Sequence, residues 1–505
     1  MSTLDAERWR KGTPPNMEIR EGVFVDGRWQ ASTGHAMFTV INPYTEEPFG
    51  KATIGTEQDV DLAVQSARRA LVEGPWRETS LEDRIAMVRR IQEQLNGRAD
   101  ELGRLASGSM GSPLTMSRGL GQSSELIDMY VQTIQDIRWE YLRMDQTGDT
   151  LITRRPVGVV AGIVPWNAPV RSEVKKVIPS ILTGCTIVVK PAPETPFGAA
   201  ILAEICTEAG VPPGVVNLVL GDSSTGDLLV KHPLVRKVAF TGSSATGAKI
   251  WTAAADQFKR LQLELGGKSA AILLDDIDVA KVVPWLSVGI FSAGGQQCTA
   301  TSRILAPRSR YDEVIEAMAD AASRYVMGDP LEATTTLGPL VAERQQTKVL
   351  GYIEAGNSEG AKLVTGGGRP SSQPSGWFVE PTLFAEVNNS MRIAREEIFG
   401  PVVSVIPYDS ESEAIQIAND SEYGLGGAVH SADPHHALKV ARQVDSGYIA
   451  VNRYGIPSST PFGGVKRSGI NREHGAEGYD SFLEYVPHPL THDFAEELAK
   501  TVPLG

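Results

Sequence analysis

Hydrophobic positions along the chain change their period near residue 157. Before that point the spacing is helical: Val60, Val64, Ala67 and Leu71 recur behind Thr56-Glu57-Gln58-Asp59, which has the composition of a helix start. Ser80 opens a second such run, with Ile85, Val88, Ile91 and Leu95 on one face. Both read as packing helices without chemistry. Ahead of them, Gly22 to Val40 alternates apolar and polar residues about a turn at Gly27, which predicts short antiparallel strands. From residue 157 onward, β-branched runs predict strands at 157–164, 186–190, 215–220, 237–241 and 269–274. Helix-length segments such as 196–209 and 246–258 separate them. Strands alternating with helices predict a parallel sheet covered on both faces. Ligands of such sheets bind beyond the carboxyl ends of the strands, and nearly every unusual polar or glycine-rich stretch here sits at such an end.

A second alternating stretch, 275–461 with strands at 302–306 and 402–407, predicts a second α/β domain. The segments 141–155 and 481–505 fit neither domain; as two partly apolar orphans they can pair into a small arm. A length of 505 residues agrees with more than one core. A composition of 41% hydrophobic and 22% charged residues excludes a largely disordered chain. The net charge of -13 argues against nucleic acid or an anionic membrane as an electrostatic partner. Three cysteines, Cys185, Cys206 and Cys298, give no disulfide framework and imply a reducing compartment, the cytoplasm. Residues 1–20 lack the apolar core of a secretory signal, and no apolar run approaches the roughly 18 residues that span a bilayer.

Cys185 and Cys206 lie in apolar contexts and read as small buried hydrophobes. Cys298 differs: it follows Gly294-Gly295-Gln296-Gln297 and precedes Thr299-Ala300-Thr301. A glycine-rich approach leaves backbone N–H groups free, and a nearby helix N-terminus would favour a thiolate. A thiol there can attack a carbonyl. Glu264 closes the apolar run Leu261-Gln262-Leu263-Glu264-Leu265 beside Gly266-Gly267. A carboxylate at a strand end can reach a cleft, where partial desolvation would raise its pKa towards that of a useful base; otherwise it is a surface acid. In Pro165-Trp166-Asn167-Ala168-Pro169 two prolines stiffen the loop and aim Asn167, whose amide suits an oxyanion or simply closes a turn. Phe240-Thr241-Gly242-Ser243-Ser244-Ala245-Thr246-Gly247 leads from a strand into a helix, and its N–H groups can carry a pyrophosphate. Lys190 before Pro191 can put an ammonium near a ribose or phosphate. No His/Cys spacing suggests a metal, and none is expected.

Together these residues resemble the aldehyde dehydrogenase superfamily, in its NAD(P)-dependent, non-acylating form, from about Val25 to Val486. The elements are Pro165-Trp166-Asn167, Lys190-Pro191-Ala192, Phe240-Thr241-Gly242-Ser243, Glu264-Leu265-Gly266-Gly267 and Gly295-Gln296-Gln297-Cys298. Glu397-Ile398-Phe399-Gly400-Pro401 and Pro461-Phe462-Gly463-Gly464 complete the set. The resemblance implies an α/β fold: a Rossmann-like cofactor domain (1–135 and 156–263), a catalytic α/β domain (264–465), and a small β oligomerisation arm with the C-terminal tail (136–155 and 466–505). It implies homodimers or homotetramers.

On this resemblance Cys298 attacks an aldehyde, Asn167 and the Cys298 N–H hold the oxyanion, hydride passes to the nicotinamide, and Glu264 activates the water that releases the acid. Lys190 and Ser243 would hold the adenosine side of the cofactor, and Glu397 and Phe399 the nicotinamide ribose. Ile163, Trp166, Gly242, Gly247 and Leu265 would complete that site. Ala168, Ser172, Ser292, Gln297, Thr299 and Phe462 would line the substrate pocket.

The chain departs from the family pattern twice. The acidic residue that commonly follows Lys-Pro-Ala in NAD-preferring members is replaced by Pro193, with Glu194 one place later. No new cation stands beside Pro193 to pair with a 2′-phosphate, so NAD is expected, with NADP possible. Small Ala168, Ser172 and Ser292 stand where many members place bulky side chains, which predicts bulky or long-chain aldehydes. No arginine is clearly placed to read a substrate carboxylate; Arg171 is the nearby candidate. The rival readings are a cofactor-independent thiol hydrolase or amidase, a CoA-acylating dehydrogenase, and a structural protein that keeps the fold.

Overall fold

The computed structural model describes residues 21–505. The polar segment over 1–20, on which the reading of an absent signal rests, lies outside the described residues. Strands Val159–Ile163 and Thr186–Lys190 are buried along their whole length, as β-branched runs covered on both faces must be. They belong to an eight-stranded sheet in the order Arg28–Gln30, Val23–Val25, Val216–Leu218, Thr186–Lys190, Val159–Ile163, Val235–Thr241, Arg260–Glu264, Gly469–Ile470. The five inner strands run parallel, and antiparallel pieces close both edges. Ile163 lies opposite Phe240, and Thr241 opposite Glu264. This register brings the loops after three different strands to one line at the carboxyl end of the sheet.

A seven-stranded sheet follows, centred on Arg303–Pro307; beside it Ala270–Leu273 runs parallel to Arg303–Pro307 and Gly427–His430. Each sheet has an apolar cluster on either face. The chain ends one sheet at Glu264 and starts the next at Ala270, so Glu264 stands at the seam between them. A third, three-stranded sheet joins Glu140–Asp145, Gly148–Pro156 and Leu483–Leu490. The two orphan segments thus pair with each other, and the chain end joins them through Gly505 N–H to the Leu142 carbonyl at 2.8 Å. The stretch 466–482, read with the arm from sequence, lies in space against the first sheet: Gly469–Ile470 pairs with its edge and Tyr479 and Phe482 join its core.

Several boundaries move for local reasons. Thr56 caps its helix with a reciprocal Thr56–Asp59 box, and Ser80 caps the next. The helix expected over 246–258 is Ser244–Ala254, because the Ser243 side chain accepts from Thr246 N–H and starts it earlier. It ends before Phe258, which adopts φ 51°. The run 157–164 is shortened to Val159–Ile163 by Gly158 at φ 132°, where the arm strand hands over to the parallel sheet. Within Gly22 to Val40 only Val23–Val25 and Arg28–Gln30 form the expected hairpin; Met37–Ile41 pairs with Pro48–Thr53 in a separate sheet.

Candidate active site

The loop carrying Cys298 is built from residues that few side chains could replace. Ala293, Gly294 and Gly295 have φ of 52°, 66° and 69°, and a Cβ on Gly295 would lie 2.1 Å from the Gly400 carbonyl oxygen. Gln296, 1% exposed, pins the loop: its Nε2 donates to the Ala293 carbonyl at 3.0 Å and its Oε1 accepts from Val341 N–H at 3.0 Å. Asn167 Nδ2 donates to the Gln296 carbonyl at 2.9 Å, which ties the first sheet's loop to the cysteine loop. An amide has two N–H donors, so one remains for a ligand.

Cys298 is half-buried, and burial pushes its thiol up to about 12. Lys175 is the charged group that most opposes this. Glu264 is 2% exposed, and neither carboxylate oxygen has a hydrogen-bond partner. Burial, and then the negative charge of Glu473, push its carboxyl well above the ordinary range. Gly463 makes room for it, since a Cβ there would lie 2.8 Å from Glu264 Oε1. Burial works against the charge on Glu473 too, but Lys176, in direct contact, and Lys175, 3.5 Å away, hold its carboxyl down at about 2.

A cavity of about 780 Å³ runs along the carboxyl end of the first sheet and reaches Cys298. Of the cofactor residues expected from sequence, Ile163, Trp166, Lys190, Gly242, Ser243, Leu265, Glu397 and Phe399 line it. Gly247 does not: it lies a turn into its helix, where a Cβ would meet Leu265 at 2.7 Å. Trp166 and Phe399 meet edge to face at 5.5 Å. Glu397 Oε1 accepts from Gly267 N–H at 2.9 Å, and a Cβ on Gly266 would lie 2.4 Å from Glu397 Oε2. The two glycines therefore bring the backbone against the carboxylate. Lys190 is 5% exposed, and burial brings its ammonium down to about 8. The Ser244–Ala254 helix presents its N-terminus to the cavity through Gly242 and Ser243, a place suited to an anion.

The residues expected on the substrate side lie apart from this cavity. Ala168, Ser172, Ser292, Gln297, Thr299 and Phe462 do not line this cavity. Gln297 and Thr299 flank Cys298, and both meet the Tyr454 hydroxyl at 3.2 Å. Gln297 Nε2 also donates to the Ser292 carbonyl at 2.8 Å, so Ser292 acts through its backbone. Phe462 packs on Tyr448 and His474, with the Lys175 ammonium 5.3 Å above its ring. Ser172 is packed into the Arg171–Thr183 helix at 4% exposure, while Ala168 is half-buried at its head.

Sequence reasoning missed Tyr448, Tyr454, Lys175 and Glu473 on this side, and Arg344, Gln345 and Lys348 along the cavity; none belongs to a local motif. Arg344 pairs directly with Glu194 at the cavity edge, a cation that no reading of the neighbourhood of Pro193 could find. Among the described residues no group of three or more His, Cys, Asp or Glu is placed to hold a metal ion. Among them, too, no helix is long and apolar enough to cross a membrane.

The model of the aldehyde dehydrogenase family matches residues 29–486. Geranial dehydrogenase from Castellaniella defragrans is 43% identical over 92% of this chain and 97% of its own. An aldehyde dehydrogenase of Mycobacterium tuberculosis solved in complex with NAD+ superposes with a TM-score of 0.91 at 41% identity, over 94% of this chain and 98% of that one. A mutant of aldehyde dehydrogenase C from Pseudomonas syringae, solved with NAD+ and octanal, superposes with a TM-score of 0.90 at 39% identity, over 94% of this chain and 98% of that one. With its site built from residues of both sheets and more than nine-tenths of its length covered by these relatives, the chain belongs to the aldehyde dehydrogenase family.

Proposed function

We propose that the protein oxidises aldehydes to carboxylic acids with NAD, using Cys298 as nucleophile, Asn167 as oxyanion donor and Glu264 as the base of hydrolysis. The observation that carries the reading is the long cavity ending at Cys298 while Glu264 waits, buried and unpartnered, at the seam beside it. A dinucleotide fits the cavity's lining. Ser243 and the helix N-terminus suit its pyrophosphate, Lys190 its adenosine half, and Glu397, oriented by Gly267 N–H, the hydroxyls of its nicotinamide ribose. The complexes of two relatives with NAD+ support the same cofactor here. Glu194 lines the cavity one place beyond Pro193 but is paired there with Arg344, so the preference for NAD rests on the relatives' complexes.

The Cys298 thiol gives up its proton to solvent water, and its sulfur bonds to the aldehyde carbon as the carbonyl π bond breaks to leave an oxyanion. The oxyanion accepts from the free Asn167 N–H and the Cys298 backbone N–H. Bound NAD supplies the acceptor for the hydride that leaves this carbon. Glu264 then takes a proton from water, the hydroxyl adds to the resulting thioester, and the carbon–sulfur bond breaks to return the thiol and release the acid. Water and aldehyde are consumed, and acid, reduced cofactor and one proton are formed.

A cofactor-independent hydrolase would have no use for the Glu397 cradle. A CoA-acylating enzyme would have none for a buried base. We further propose that bulky or long-chain aldehydes are preferred, on the small side chain of Ala168 and the octanal complex of one relative. An aldehyde panel run with NAD and with NADP tests the reading. Reduced nicotinamide should form with NAD, at higher kcat/KM for octanal than for acetaldehyde. Cofactor-independent turnover, or the reverse order of substrates, would contradict it.

A further inference from the structure

Resting on the assignment of Cys298 as the nucleophile, we propose that Lys175 and Arg171 form a cationic wall on the substrate side that selects aldehydes carrying a carboxylate. The two residues lie four apart on the Arg171–Thr183 helix, so they share a face with about 6 Å of axial separation. Both are half-buried, and neither lines the cofactor cavity. The Lys175 ammonium sits 5.3 Å above the Phe462 ring and, of all charged groups, acts most strongly on the Cys298 thiol. Arg171 stands one turn earlier on the helix, and its charge reaches His474, whose ring packs on Phe462.

The carboxylates nearby do not cancel this charge. Glu473 is shared between Lys175 and Lys176, with the closer contact to Lys176. Burial raises the Glu264 carboxyl well above the ordinary range and pushes Glu173 on the same helix up to about 8. Among the described residues, the one carboxylate in ion-pair contact with Lys175 and Lys176 is thus shared between them. Among the described residues no carboxylate lies within ion-pair distance of Arg171; the acid it feels is exposed Glu125. A half-buried cation without a partner is costly to desolvate, and an anionic substrate group offsets that cost where a neutral chain cannot. A substrate carboxylate would gain a charge-assisted hydrogen bond from each donor it reaches.

The test compares kcat/KM for 4-oxobutanoate with that for its neutral methyl ester, with octanal as a control, all with NAD. The wild type should favour the acid by at least about tenfold, and added salt should shrink that ratio. The ratio should fall towards one in Lys175→Met and in the Lys175→Met/Arg171→Met double variant, and survive in Lys175→Arg, which keeps the charge. A wild-type ratio near one while octanal and the ester are oxidised overturns this inference alone. So does an unchanged ratio in the double variant. Failure to reduce NAD with any of the three aldehydes overturns the aldehyde dehydrogenase reading as well.

Discussion

Burial and the charge of Glu473 both favour the neutral form of Glu264, so it loses its proton only well above the ordinary carboxylate range. A base acts only when ionised. Hydrolysis should therefore speed up as pH rises through the Glu264 pKa, and a kcat–pH profile should show that acid limb. Glu473→Gln removes the second cause of the shift, so the limb should move to lower pH; a limb that stays or moves upward would contradict the account. The same residues show how far a sequence can be read. Cys298, Glu264 and Asn167 each sit in a short motif at a strand end, where loop chemistry is local and visible. Glu473, Lys175 and Tyr454 act on them from far along the chain, through burial and charge that only folding brings together.

The Arg171–Thr183 helix carries a liability that makes a second prediction. Glu173 is fully buried, its oxygens lack partners, and burial pushes its carboxyl up to about 8. Its folded pKa exceeds the unfolded value, so the stability tied to its proton is complete below about pH 4.5 and is lost as pH rises to about 8. The loss is on the order of a few kcal/mol. Glu173→Gln should flatten this decline and raise Tm at pH 9 relative to the wild type; thermal melts across pH check it, and an equal decline in both proteins would count against it. At the seam between the sheets, Gly266 and Gly267 should separate two effects. Gly266→Ala presses on Glu397 and should raise KM for NAD. Gly267→Ala, whose Cβ would lie 2.5 Å from the Cys298 carbonyl oxygen, should lower kcat by more than about tenfold. Steady-state kinetics read both. The parallel strands were visible in the β-branched runs, whereas the true helix starts and the handover at Gly158 depend on caps and a positive φ that hydrophobic period does not report.

On the scale of the whole molecule, the three-stranded arm is tied to the first sheet by the Arg260–Glu484 pair, and the arm with the C-terminal segment leaves Tyr485, Phe494 and Leu504 about half exposed or more, at 46%, 47% and 64%. Exposed apolar side chains gathered on the arm and the C-terminal segment suit burial against another copy. Light scattering should find a dimer or tetramer, and removing 483–505 should lower the assembly state or the solubility; an unchanged assembly would exclude the arm as the interface. The arm was foreseeable because two orphan segments needed a partner. The return of 466–482 to the first sheet was not, since Glu473 and His474 carry no pattern that marks them as site residues. The central claim joins both sheets in one covalent cycle, and single-turnover kinetics of NADH formation test it most directly. Mixed with octanal and NAD, Glu264→Gln should release about one equivalent of NADH per Cys298 in a burst and then nearly stop, while Cys298→Ala should give neither burst nor turnover. Steady oxidation by Cys298→Ala, or a Glu264→Gln protein that turns over at the wild-type rate, would contradict the account.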